Sequence, residues 1–150
     1  MTVIVYDGKT LAADSRITCG GNITTDSYNK IHVLRGSIDY LGDELLAIGV
    51  SGTASDVLKL IEHLQSSDYP VKKIDHEIHA LIVGKKYIYE LYPHDSHLIR
   101  YNKKTKLAIG SGGTIANSVM MLGLDASQAV KHAISMNVYC GGRVRTWSMG

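Results

Sequence analysis

Phenylalanine is absent from this 150-residue chain, and proline and cysteine occur only twice each. Two thiols, Cys19 and Cys140, are too few for a disulfide framework or a four-thiolate zinc site, and they fit a reducing compartment. No apolar run approaches the roughly 20 residues that a membrane-crossing helix needs. Residues 1–9 carry neither a basic leader nor a small-residue cleavage site, so a cytoplasmic protein with no membrane partner is expected. An excess of one charge is also missing. Sixteen Lys and Arg stand against fourteen Asp and Glu, a net charge of +2, which argues against nucleic acid as a main partner. Internal repeats, low-complexity stretches and linkers are lacking, and the length predicts one domain over 1–150.

What remains is the composition of a globular protein, with 45% apolar and 20% charged residues. Fifteen glycines against two prolines suggest tight turns within ordered structure. Residues 2–6 and 10–15 read as strands joined by a hairpin at Asp7-Gly8. A polar stretch rich in Gly, Thr and Asn follows. Residues 30–34 alternate like a strand, and 45–50 read as a buried one. Beyond Gly52 the period changes: Ala54, Val57, Leu58, Ile61 and Leu64 fall on one face of a helix ending near Ser66. Strands are then expected over 76–83, 86–92, 97–101 and 107–109. A second helix follows Gly110-Ser111-Gly112-Gly113 and closes at Gly123. A third is capped by Asp125 with Gln128 in capping-box spacing, and 143–148 resembles an outer strand. Strands and helices in these blocks predict a layered α+β protein with largely antiparallel sheets.

Three features suggest chemistry. Thr2 follows the initiator Met1, and removal of Met1 would leave a hydroxyl nucleophile and a free α-amine on one residue. That amine, with an ordinary pKa of about 7.7–8.0, can take the hydroxyl proton near neutral pH. Asp14 ends the strand expected to pair back along Thr2, and Lys30 begins the next. An ammonium near Thr2 would favour the neutral amine and the developing alkoxide, and a carboxylate would hold that ammonium. A surface Asp and a surface Lys fit the spacing equally well. Gly52 and Gly110, Gly112 and Gly113 stand at strand-to-helix junctions, where backbone N–H groups serve as oxyanion donors and where tight turns use the same residue.

Five segments in order carry a resemblance: Leu11-Ala12-Ala13-Asp14-Ser15-Arg16-Ile17-Thr18, Asn29-Lys30-Ile31, Val50-Ser51-Gly52-Thr53-Ala54-Ser55-Asp56, Ile109-Gly110-Ser111-Gly112-Gly113, and Val138-Tyr139-Cys140-Gly141-Gly142. Behind a Met-Thr start, they resemble the motifs of proteasome β-subunits and the bacterial peptidase HslV, in the N-terminal-nucleophile (Ntn) hydrolase superfamily. The match runs nearly end to end, and the short chain looks most like the small proteasome-related proteins of bacteria and their phages. The resemblance implies a four-layer αββα sandwich of two mainly antiparallel sheets. It also implies a threonine peptidase without a cofactor, in which Thr2 is nucleophile and base, Asp14 and Lys30 tune it, and the Gly52 N–H lines an oxyanion hole. Ser111 matches a serine near the terminal amine. Ile17, Thr18, Val50 and Ala54 match positions shaping the pocket for the residue before the cleaved bond, and their small or apolar character predicts an uncharged residue there.

The implied assembly is a homo-oligomeric ring, a hexamer or heptamer that can stack as a double ring, enclosing unfolded polypeptide substrates. Since the chain has no P-loop, an ATP-dependent unfoldase would be a separate protein. One segment departs from the family pattern Asp-x-x-Ser-Gly-Gly. Asn137 and Cys140 replace its carboxylate and hydroxyl, which points to reduced activity. Two alternatives follow: a catalytically silent assembly subunit, or a small-molecule amidase of the same superfamily.

The His76-Glu77-Ile78-His79 run lacks the four-residue histidine separation of a zinc-binding helix, so no metal is expected. His94-Asp95-Ser96-His97 reads as a polar turn, and Lys103, Lys104 and Lys106 as a solvated one.

Overall fold

The structure, a computed structural model, describes residues 2–65, 76–95 and 97–149; the side chain of Ala54 also lies outside the described residues. The opening hairpin is β1 (Ile4–Tyr6) and β2 (Thr10–Ala13), followed by a second hairpin, β3 (Ile17–Cys19) and β4 (Asn22–Thr25). Then come β5 (Ile31–Tyr40), β6 (Asp43–Ser51), α1 (Ala54–Leu64), β7 (His79–Gly84), β8 (Tyr87–Leu91), β9 (Ile99–Asn102) and β10 (Leu107–Ile109). Helices α2 (Gly113–Met121) and α3 (Ala126–Met136) precede the last strand, β11 (Arg145–Ser148). The expected end of the first helix at Ser66 falls outside the described residues.

Five strands form one sheet in the order β5-β6-β7-β8-β9, and four form another in the order β10-β1-β2-β11. All described pairings are antiparallel. Side-chain alternation sets the layers. Ile4, Tyr6, Leu11 and Ala13 meet Ile31, Ala47, Leu81 and Val83 between the sheets, while Val3, Val5 and Ala12 turn to the buried alanines of α2 and α3. On the far side, Val57, Leu60 and Leu64 of α1 cover Ile48, Val50 and Ile82. The result is the four-layer αββα sandwich, with hydrophobic burial holding each layer to the next.

Asp7 shows how local signals fix the opening hairpin. The turn proper is Gly8-Lys9, with Asp7 and Thr10 flanking it; Asp7 N–H donates to Thr10 O at 3.2 Å. Its Oδ1 accepts from the N–H groups of Lys9 and Thr10, and its Oδ2 accepts from Ala126 N–H at the start of α3. The capping box of α3 forms as expected, with Asp125 and Gln128 each accepting from the other's N–H.

Two regions differ from expectation. The polar stretch forms the hairpin β3–β4, whose residues are mostly exposed and therefore carry no alternation. Strand β5 continues past Leu34 to Tyr40 through a register shift between Val33 and Ile38, where 35–37 are exposed.

Candidate active site

The hairpin register decides what Thr2 can reach. With Ile4 opposite Ala13, Asp14 just after β2 falls opposite Val3, beside Thr2, and Asp14 N–H donates to Val3 O at 3.3 Å. Lys30 sits at the entrance to β5, where its carbonyl accepts from Val50 N–H at 3.0 Å. These three side chains from separate elements converge and are almost fully buried, at 3%, 0% and 3% exposure for Thr2, Asp14 and Lys30.

Thr2 Oγ1 donates to Asp14 Oδ1 at 2.7 Å. Lys30 Nζ donates to the same carboxylate oxygen at 2.7 Å, and also to Thr2 Oγ1. The Asp14 carboxylate further accepts from Val3 N–H on Oδ1, at 3.2 Å, and from Gly141 N–H on Oδ2, at 3.1 Å. These donors satisfy the hydrogen-bonding capacity of a carboxylate that burial cuts off from water. Burial pushes the Lys30 ammonium below its ordinary pKa, and the Asp14 charge partly offsets that. The cluster can therefore hold a cation against the threonine oxygen, where it would favour an alkoxide.

The main chain of Thr2 is clasped by the junction of β10 and α2. Its carbonyl accepts from Gly112 N–H at 3.1 Å and, at the long distance of 3.4 Å, from Ser111 Oγ. Gly110 has φ +91°, and a Cβ there would stand 2.1 Å from Thr2 O. No other residue type permits this approach.

Cys140 Sγ lies 4.0 Å from Ser111 Oγ. The thiol is buried, and burial first, then the Asp14 charge, push its pKa up, so it stays protonated and is a poor nucleophile. Asn137 is not brought to Thr2 by any hydrogen bond its side chain makes: Oδ1 accepts from Tyr139 N–H at 2.9 Å and closes the loop after α3. That loop is anchored by Arg16, which pairs through Nε and NH2 with both Asp26 oxygens and donates from NH1 to Val138 O. The sequence alone gives no role to Arg16 or Asp26. Arginine two residues beyond Asp14 was the available signal, but its acidic partner cannot be chosen from spacing.

Beside Thr2 and Lys30 opens a pocket of about 100 Å³. Ile17, Thr18, Val50 and Gly52 border it, and Tyr28, His32, Ser51 and Val57 complete it. Gly52 has φ +147°, and a Cβ there would press on Glu77 O and Ile78, so this stretch of wall is bare backbone. Tyr28 and His32 flank Lys30 at alternating positions, which is the pattern that could have found them. The Ala54 side chain lies outside the described residues.

His76 and His79 go separate ways: His76 Nε2 bonds Asp95 O, and His79 Nε2 pairs with Glu90 Oε2, each at 2.6 Å. Among the described residues, no group of three or more His, Cys, Asp or Glu could hold a metal ion. No described helix is long and apolar enough to cross a membrane.

No protein-family model matches the chain, and no curated protein matches it by sequence. Solved structures do match. Eukaryotic HslV from Trypanosoma brucei superposes with a TM-score of 0.66 at 18% identity, over 99% of both chains. The bacterial proteasome homologue of Thiobacillus denitrificans, BPH, in complex with epoxomicin, gives a TM-score of 0.70 at 17% identity, over 99% of this chain and 97% of that one. A second BPH structure gives 0.68 at 20% identity. The chain has the HslV-like, proteasome β-subunit fold of the Ntn hydrolases.

Proposed function

We propose that the protein is a threonine peptidase whose nucleophile is Thr2 after loss of Met1. The observation that carries this reading is the buried triad in which Thr2 Oγ1 is bonded to both Asp14 and Lys30. In the processed chain the α-amine takes the hydroxyl proton as Oγ attacks the scissile carbonyl carbon. The Lys30 ammonium favours the oxygen nucleophile, and Asp14 holds Lys30 in place. The Gly52 N–H receives the charge that forms on the carbonyl oxygen, a contribution of about 2.7–4 kcal/mol for one such donor in other hydrolases. Collapse breaks the C–N bond, and the leaving amine takes the proton from the α-ammonium. Water, deprotonated by the α-amine, then attacks the ester, freeing the acid and restoring Thr2. Ser111 and Gly112 position Thr2 through its carbonyl.

The substrate class is unfolded polypeptide or peptide, and the working form is a homo-oligomeric ring in the cytoplasm, served by a separate ATP-dependent unfoldase. Residues 1–150 act as one domain. Ring formation is supported by the large apolar side chains at the end of α2, where Met121, Leu122 and Leu124 are exposed. A second reading, a silent assembly subunit, is favoured by the Asn137 side chain being engaged with Tyr139 and by the protonated Cys140 thiol standing where the family pattern has a hydroxyl. Fluorogenic peptide turnover separates the two: the peptidase reading requires hydrolysis that Thr2→Ala abolishes, and hydrolysis by neither protein leaves the assembly role.

A further inference from the structure

The Asp14 carboxylate is held at both ends. Its Oδ1 takes the Thr2 hydroxyl, the Lys30 ammonium and Val3 N–H, whereas Oδ2 takes Gly141 N–H at 3.1 Å and Arg16 N–H at the long distance of 3.4 Å. Rotation about the Cβ–Cγ bond would swing both oxygens together, so whatever fixes Gly141 also fixes where Oδ1 meets Thr2 and Lys30. We propose that Arg16, paired with Asp26, is a positioning residue for the Thr2, Asp14 and Lys30 cluster: it pins the loop after α3 so that Gly141 N–H stays on Asp14. The kinetic consequence rests on the peptidase reading, and the inference extends that reading to a side chain that bonds neither Thr2 nor Lys30.

The loop has few anchors of its own. Helix α3 ends at Met136, and Val138 and Tyr139 are exposed. Cys140 is buried and its N–H donates to Asn137 O, while Gly141 O accepts from Ser15 N–H at 2.9 Å. Arg16 adds a clasp across these contacts. Its guanidinium lies against the bare face of Gly141, where a Cβ would run into Cζ. NH1 donates to Val138 O at 2.9 Å, and Nε and NH2 reach the two oxygens of Asp26, just beyond β4, at 2.7 and 3.1 Å. Gly142, at φ +76°, passes the Asp26 carbonyl so closely that a side chain would run into it. A planar guanidinium suits this place because one rigid group serves a carboxylate on one edge and a carbonyl on another, which the point charge of a lysine does not. Magnitudes separate positioning from stability. The Asp26 side chain is 45% exposed, and an ion pair open to water contributes little to folding. Displacing a reacting group by about 1 Å, in contrast, costs roughly 100-fold in rate. Loss of the pair should therefore lower turnover far more than it lowers stability.

The test compares Arg16→Met, Asp26→Asn and the double variant with the processed parent protein. In fluorogenic peptide turnover, Arg16→Met is expected to lower kcat by roughly 100-fold with KM kept within about threefold, because Arg16 borders no part of the pocket beside Thr2. Asp26→Asn should act in the same direction, and the double variant should be no worse than Arg16→Met, since the two residues work as a pair. A second arm needs no substrate. Hydrogen exchange followed by mass spectrometry should show the 137–142 loop of Arg16→Met exchanging at least about tenfold faster, with β6 and β7 unchanged; a purely structural role would speed exchange across the sheets as well. If no protein cleaves the peptide but exchange rises in that loop alone, the clasp on Asp14 stands and the peptidase reading falls. A kcat in Arg16→Met within about threefold of the parent, full activity in Asp26→Asn, or a double variant whose loss is the product of the two single losses would overturn the inference. Loop exchange that stays unchanged, or that rises equally with β6 and β7, would overturn it too.

Discussion

Asp14 holds together groups that would otherwise repel solvent-free burial. Its carboxylate receives the Thr2 hydroxyl, the Lys30 ammonium and three main-chain N–H groups, those of Val3, Arg16 and Gly141. Removing its charge leaves the Lys30 ammonium buried and unpaired. Asp14→Asn is therefore expected to lower stability at pH 7 by about 3–5 kcal/mol, read from urea unfolding. The loss should shrink as pH rises, because neutral Lys30 needs no counter-charge. Activity is expected to follow a bell-shaped pH profile. The acid limb reports the α-amine, which must be neutral to accept a proton and titrates near or below about 7.7–8.0. The alkaline limb reports Lys30, which must stay charged; burial lowers its pKa, so kcat/KM should begin to fall at a pH below the ordinary lysine value of 10.5. An alkaline limb above that value in initial-rate measurements would contradict the role given to Lys30. At this scale the sequence exposed residue types but little proximity. Thr2, Asp14 and Lys30 stood out as candidates at strand ends, but spacing left surface positions equally open for Asp14 and Lys30, and their roles came from the family resemblance. Arg16 could not be assigned a role, and Gly110 only that of a junction glycine, since what makes them matter is a neighbour distant in sequence: Asp26 and Thr2 O.

Among elements, the opening hairpin matters most, because slipping it by one residue would move Thr2 to the other face of the sheet. Asp7 fixes its turn, and Gly110 fixes its far edge by letting the β10–α2 junction close on the Thr2 carbonyl. Gly110→Ala places a methyl 2.1 Å from that carbonyl oxygen at φ +91°. The expected cost is about 1–3 kcal/mol of stability from the backbone alone, with a fall in kcat of roughly 100-fold as Thr2 is displaced; thermal melting and steady-state kinetics read the two effects. Legibility followed burial. Helix α3 could be read because its alanines face one core and its cap is local. Hairpin β3–β4 could not, because exposed residues such as Ile23 follow no alternation. The continuation of β5 was hidden for the same reason, since its exposed 35–37 segment interrupts the pattern.

At the scale of the molecule, two sheets packed face to face bring the start of β1, the end of β2 and the entrance of β5 to one edge, with α1 and the α2–α3 pair covering the outer faces. A layered α+β protein was legible from the blocks of strands and helices and the four-layer order from the family resemblance, whereas the pairing of β10 and β11 on either side of the opening hairpin involves contacts across most of the chain and leaves no local trace. An exposed apolar end on α2, with Leu122 82% exposed, is expected to be covered by further copies of the chain. Sedimentation velocity should therefore show a species several protomers in size; a monomer at micromolar concentration would count against the ring. The most direct test of the central claim is intact mass spectrometry of the purified protein before and after incubation with a peptide epoxyketone such as epoxomicin. The expected result is a chain lacking Met1 that gains the mass of one inhibitor, with no gain in Thr2→Ala. A chain that retains Met1 and remains unmodified would contradict the assignment of Thr2 as the nucleophile.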